Sequence, residues 1–178
     1  MSTLAVDSIE NLAGDERYGP VLMTEQAMGG AVSVDFTGIP SWVKKITIMF
    51  HSINGSGSSN KVIQVGNATD GVVSTGYTRQ YAYVSDGASA DADAISDYTA
   101  GFKFGDGGNI IHGVVDLYRM DSGGLKWLYK GMIAIDQATD QFQAAVGYVT
   151  MSYALDRVRL TSENGSDTST GNVNVIYE

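Results

Sequence analysis

Apolar and polar residues alternate along this chain with a period of two far more often than with the helical period of 3.6. In residues 44–50, Ile46, Ile48 and Phe50 fall on one side and Lys45, Thr47 and Met49 on the other, as in a strand with one buried face. Residues 77–84 and 155–161 repeat the pattern, the latter with Val158 and Leu160 opposite Arg157 and Arg159. Val62, Ile63 and Val65 predict a short buried strand over 61–65, closed by the turn-forming run 66–71. Residues 110–119 and 125–134, separated by Met120-Asp121-Ser122-Gly123-Gly124, read as a hairpin. Val173, Val175 and Tyr177 share one face of a strand over 173–177. Turn-forming pairs at Asn54-Gly55, Asp70-Gly71, Asp86-Gly87, Asp106-Gly107 and Asn164-Gly165 punctuate these runs. Together they predict an all-β fold, a jelly-roll-like antiparallel β-sandwich covering residues 31–178.

Three stretches read differently. Ala138, Phe142, Ala145 and Val149 stand near helical spacing, which predicts a helical turn in a long connection over 136–149. Residues 86–97 alternate alanine with acid or serine and predict an exposed loop. Residues 1–30 carry too little apolar content for a domain and are broken by Gly14, Gly19-Pro20 and Gly29-Gly30. They predict an extended N-terminal arm, a kind of segment that stays ordered only when something holds it: other chains, with packing on its own domain as the alternative.

Composition narrows the function classes. Charged residues are 17% against a usual ~25%, and apolar residues reach 43%, which excludes a disordered acidic tail. Glycine is frequent at 22 of 178 residues, as turn-rich strand proteins require. The balance of 20 acidic against 11 basic residues gives −9, the wrong sign for a nucleic-acid partner. Without cysteine there are no disulfides, no thiolate catalysis and no zinc–sulfur sites. No apolar run approaches the ~18 residues of a membrane-spanning helix, so no membrane insertion is expected. No basic segment followed by an apolar run opens the chain, so no secretory signal is expected either.

Candidate chemistry is sparse. His51 and His112 are the only histidines, and nothing in their spacing suggests a shared metal; His51, at a strand end, reads as solvated. No nucleophile elbow, phosphate loop, dinucleotide fingerprint or calcium-hand motif occurs. Asp91 and Asp93 would share a strand face but fall in the expected loop, so the ~5 Å carboxylate pair of a retaining glycosidase is not supported. The chain is therefore expected not to be an enzyme. Asn67 with Asp70, the aspartates 86, 91, 93 and 97, and Glu163 with Asn164 and Asp167 could offer oxygens to Ca²⁺. The plainer account, that Asp and Asn build turns through their own side chains, is preferred, so no cofactor is expected. Trp42, after Gly38-Ile39-Pro40, reads as a buried plug at the start of a strand. Tyr77, Arg79, Tyr81 and Tyr83 all point to one side of a single strand, opposite Thr78, Gln80, Ala82 and Val84. Three readings fit that row: contact with a host glycan, an aromatic ladder in the core, or a subunit interface.

Several segments resemble a known family. The stretch DFTGIPSWVKKITIMF at 35–50 is similar to the opening of a β-sandwich domain of bacteriophage and prophage tail-fibre and appendage proteins. VIQVG at 62–66, with Thr75-Gly76-Tyr77 after it, resembles the next block, and LDRVRLTSENGSD at 155–167 with GNVNVIYE at 171–178 resembles the closing signature. Trp127 after a glycine turn marks the middle, and LAVDSIENLAG at 4–14 resembles the leader that precedes such domains. Family members carry a fibrous stalk between leader and domain; here residues 15–34 take its place, as in a compact tip, spike or decoration protein. The resemblance implies a virion structural protein, a short tail-fibre or tip appendage contacting host-surface polysaccharide, located on the tail or capsid surface. The alternative is a capsid or tail decoration protein. Partners implied are other virion proteins, bound through residues 1–30, and two further copies in a homotrimer, where linked weak sites gain ~10²–10⁴-fold in avidity. The sequons at Asn54, Asn67 and Asn164 carry no meaning in such a protein. A polysaccharide-degrading appendage is the rival from another class.

Overall fold

Ile46, Ile48 and Phe50 lie in the core and Thr47 and Met49 do not, so the alternation read from residues 44–50 is the alternation of a half-buried strand. The computed structural model describes residues 19–85, 91–98 (backbone), 100–105, 108–136 and 141–178, and every regular element among them is a strand. In chain order these are β1 (Val21–Leu22), β2 (Gln26–Ala27), β3 (Ser33–Thr37), β4 (Lys45–Gly55), β5 (Lys61–Asn67), β6 (Gly71–Val72) and β7 (Tyr77–Ser85). They continue with β8 (Asp91–Tyr98), β9 (Phe102–Phe104), β10 (Ile110–Arg119), β11 (Lys126–Asp136), β12 (Gln141–Thr150), β13 (Arg157–Ser162) and β14 (Ser169–Tyr177).

Two antiparallel sheets pack face to face as a β-sandwich. The long sheet runs β1-β14-β4-β10-β11-β12-β7-β8, with β2 also on β14; the short sheet runs β3-β13-β5-β6, with β9 also on β5. Aromatic rings tie the layers together: Phe50 of β4 lies 4.6 Å from Phe104, and Phe102 stacks on Tyr129 of β11 at 4.3 Å. Isoleucine, valine and leucine from both sheets fill the rest of the space between them. The outer face of the short sheet is polar, with Arg159 donating two bonds to the carboxylate of its cross-strand neighbour Asp35 at 2.7 and 2.8 Å. The predicted hairpin forms between β10 and β11, and Trp127, on the second strand, donates its indole N–H to the turn carbonyl of Gly124 at 2.9 Å.

Two sequence-based expectations are corrected. Residues 141–150 are not helical but form strand β12, hydrogen-bonded to β11 on one side and β7 on the other. Phe142 and Val146 point outward while Ala145 and Val149 point inward, so both faces carry apolar residues and the period of two is hidden. Residues 91–98 are not a loop but the edge strand β8 on β7. Its Asp, Ser and Ala content, disfavoured in strands, outweighed its alternation in the sequence reading. Residues 86–90, the start of that expected loop, lie outside the described residues.

The described end of the predicted arm lies on the sandwich itself. β1 and β2 both pair with β14, Met23 and Met28 donate backbone bonds to Val175 and Gly171, and the Met28 side chain is buried in the core. Residues 1–18 lie outside the described residues.

One irregularity crosses three strands. The register of β4 shifts against β10 between Ile111 and Gly113, and against β14 between Thr170 and Asn172. β4 carries one extra residue there against both neighbours, with Ser52 at φ 53° and, facing it on β14, Gly171 at φ 97°. A Cβ at Gly171 would meet the carbonyls of Ser52 and His51, so only glycine fits there.

Candidate interaction surface

The row Tyr77, Arg79, Tyr81 and Tyr83 points from β7 into the sandwich, and burial divides it. Tyr77 is 0% exposed, edge-on to Phe102 at 4.8 Å; its hydroxyl accepts from Val65 N–H at 3.0 Å and donates to the Val73 carbonyl at 2.7 Å. It belongs to the core, and its phenol pKa is pushed up from 10.0 by desolvation, opposed by the Val65 bond. Arg79 is 3% exposed, with its guanidinium 4.1 Å from the centre of the Tyr81 ring and a bond to the Lys103 carbonyl at 3.5 Å. A ligand on the surface does not meet Tyr77. Tyr81 and Tyr83 are half-buried, stacked at 6.2 Å, and line a recess of about 160 Å³ with Arg79, Lys103, Gln141 and Gln143.

Sequence reading overlooked the opposite face of the same strands. Cross-strand register places Val114 of β10, Met132 of β11, Ala144 of β12 and Ala82 of β7 in one row across the sheet. Ala134, Phe142 and Val84 make the next row on one side, and Lys130, Val146 and Gln80 the next on the other. These side chains are open to solvent: Val84 is 56% exposed, Met132 50%, Phe142 45% and Val146 42%. They border a shallow concavity of about 830 Å³ whose floor includes Ala82, Ala144 and Gly131. Charge is confined to one pair within the face and to its rim, where Lys126 and Asp136 end the outward set of β11. Asp116 accepts from Thr47 Oγ1 at 2.7 Å and from the Tyr118 hydroxyl at 3.2 Å, and the ammonium of Lys130 lies 3.7 Å from it. The signal that could have revealed this face was the matching outward set in 77–84 and 110–119, namely Ala82 and Val84 with Val114.

The loop candidates resolve into turns. Asn67 Oδ1 accepts from the N–H groups of Thr69 and Asp70 at 2.8 and 2.7 Å, and Asn164 Oδ1 accepts from those of Ser166 and Asp167 at 3.0 and 3.1 Å. Side chains that cap their own turns in this way need no cation. Asp86 lies outside the described residues, and Asp91, Asp93 and Asp97 sit along β8. Among the described residues no group of three His, Cys, Asp or Glu side chains could hold a metal. His51 is exposed, and His112 Nδ1 accepts from Ser52 N–H at 3.2 Å, across the irregularity in β4. Trp42 is half-buried, edge-on to Tyr177 at 5.9 Å. Beside the Asn164 turn, Lys61 is wholly buried, and its ammonium has no hydrogen-bond partner among the described residues. Desolvation lowers its pKa, partly offset by the nearby Asp167 carboxylate.

No family model, curated protein or solved structure matches the chain.

Proposed function

We propose that the chain is a non-enzymatic structural protein of a bacteriophage virion, a short tail-fibre or tip appendage whose work is to hold surfaces together. The observation that carries this reading is the outer face of the long sheet: broad, largely apolar and charged only at one internal pair and its rim, on a chain of net charge −9. Soluble proteins seldom leave such a face open unless another surface covers it. The β-sandwich and the resemblance of residues 35–178 to phage appendage domains support the same reading. Host polysaccharide would meet Tyr81 and Tyr83, the members of the tyrosine row that remain partly open, where a ring can stack on a sugar face.

Immunogold labelling of purified particles, with an antibody against the chain, tests the assignment. Label at the tail tip is expected. Particles free of the chain overturn the reading, and label spread over the head replaces it with the decoration role.

A further inference from the structure

We infer that the outer face of the long sheet, centred on Met132, Phe142 and Val146, is where copies of this chain pack against one another. This names the partner of the face on which the proposed function rests. Three observations single out a second copy as the occupant.

The first is extent. Five strands, from β4 through β10, β11 and β12 to β7, each contribute about seven residues of length. At ~4.8 Å between strands and ~3.4 Å per residue, the face measures roughly 600 Å² in projection. Thr47, Asp116, Lys130 and Gln80 interrupt it, and an apolar patch filling even half of it falls within the ~300–600 Å² of the largest on ordinary monomers. The whole face approaches the ~800 Å² per partner of a stable protein interface, before any rim is counted.

Charge is the second. A chain of net charge −9 repels its own copies at most approaches. This face is an exception, because Asp116 is already paired with Lys130 at 3.7 Å and bonded to Thr47 and Tyr118. Two copies can therefore meet here without stacking like charges. The remaining charges of this side, Lys126 and Asp136 at the two ends of β11 and Lys45 at the start of β4, lie at its rim, so a strongly basic or acidic partner finds no charged centre to pair with.

Relief is the third. Large and small side chains alternate across the rows: Met132 stands beside Ala144, and Phe142 beside Ala134. One face therefore carries both the projections and the hollows that receive them. A self-complementary contact requires both on the same surface. The same side chains are buried whether two faces meet flat or three turn toward one axis, and the measured mass distinguishes these.

The test uses the full chain and a Met132→Lys, Val146→Glu double variant. Both positions are about half exposed, so the variant keeps the sandwich, which circular dichroism and melting temperature check. Light scattering at micromolar concentration should give a multiple of 18.9 kDa for the parent chain and 18.9 kDa for the variant. Because the chain has no cysteine, Val146→Cys supplies a single thiol. Its crosslinking by a short bismaleimide should yield a covalent dimer in the oligomer and none with Thr37→Cys, exposed at the end of β3 in the short sheet. A parent chain that is monomeric at ~100 µM overturns the inference, as does an oligomer unaffected by the double variant. If the parent is monomeric but becomes oligomeric when residues 1–18 are deleted, the face belongs to the chain's own N-terminus and the inference fails. Failure here with the chain still found on virions leaves the proposed function standing. Oligomers of a chain absent from virions remove the function and leave the inference.

Discussion

Lys61 is the side chain least suited to its position. A buried ammonium without a hydrogen-bond partner loses its hydration and recovers only a distant attraction to Asp167. Replacing it by Met, of similar length, should raise unfolding free energy by ~1 kcal/mol or more, read as a higher urea midpoint at unchanged slope. The sign with pH follows from the lowered pKa. The unfolded chain holds this proton up to its ordinary 10.5 while the folded chain releases it earlier, so this residue's penalty fades as pH rises toward 10.5. Tyr77 and Tyr129 act in the opposite sense. Burial raises both phenols well above 10.0, so the folded chain keeps protons that the unfolded chain gives up, and stability is lost as pH climbs past 10. Two tyrosines outweigh one lysine, so equilibrium unfolding followed from pH 8 to 11 should show falling stability above 10. Tyr77→Phe should flatten that fall. At neutral pH it should cost ~1–3 kcal/mol, because Val65 N–H loses its acceptor.

At the scale of the element, the sequence is legible where one face is buried and the other polar, and illegible where that contrast fails. β4 and β13 meet the condition, with Ile46, Ile48 and Phe50 set against Lys45 and Thr47, and Val158 and Leu160 set against Arg157 and Arg159. β12 does not, because a strand that is apolar on both faces has no period to detect, and its outward apolar residues are the ones the functional reading now rests on. β8 is held by backbone pairing with β7, a tertiary fact that its side chains do not announce. The tyrosine row was correctly placed on one side of β7, but which side faces the core depends on the short sheet opposite, which no local pattern contains. Close approach of β12 to β7 can be tested at Gly147. A Cβ there would run into the backbone carbonyl of Thr78. Gly147→Ala should therefore cost ~2 kcal/mol and lower the melting temperature by ~4–8 °C, measured by calorimetry. Thr150→Ser, at the exposed end of the same strand, should leave the melting temperature nearly unchanged.

Across the whole molecule, the two outer faces divide the labour. The short sheet shows water an ion pair and amides, while the long sheet shows it methionine, phenylalanine and valine. Association through the long sheet is thus driven by apolar burial and opposed by the repulsion of −9 against −9. Added salt screens the repulsion and leaves the apolar term in place. Sedimentation should accordingly show tighter self-association at 0.5 M than at 0.02 M sodium chloride, whereas an interface built on ion pairs would loosen.

β14 lies between β4 and the short strands β1 and β2, and its last contacts reach far back: Lys45 bonds Glu178 across 133 positions at 2.9 Å. On the ribosome, β4 therefore waits with one edge unpaired until β14 has emerged, while the hairpin of β10 and β11 can close as soon as it is made. The nascent chain spends its synthesis as a partial sheet with an open edge and an apolar face. Such an intermediate is a natural client for chaperones, and is prone to pair with neighbouring nascent chains before it can complete its own fold.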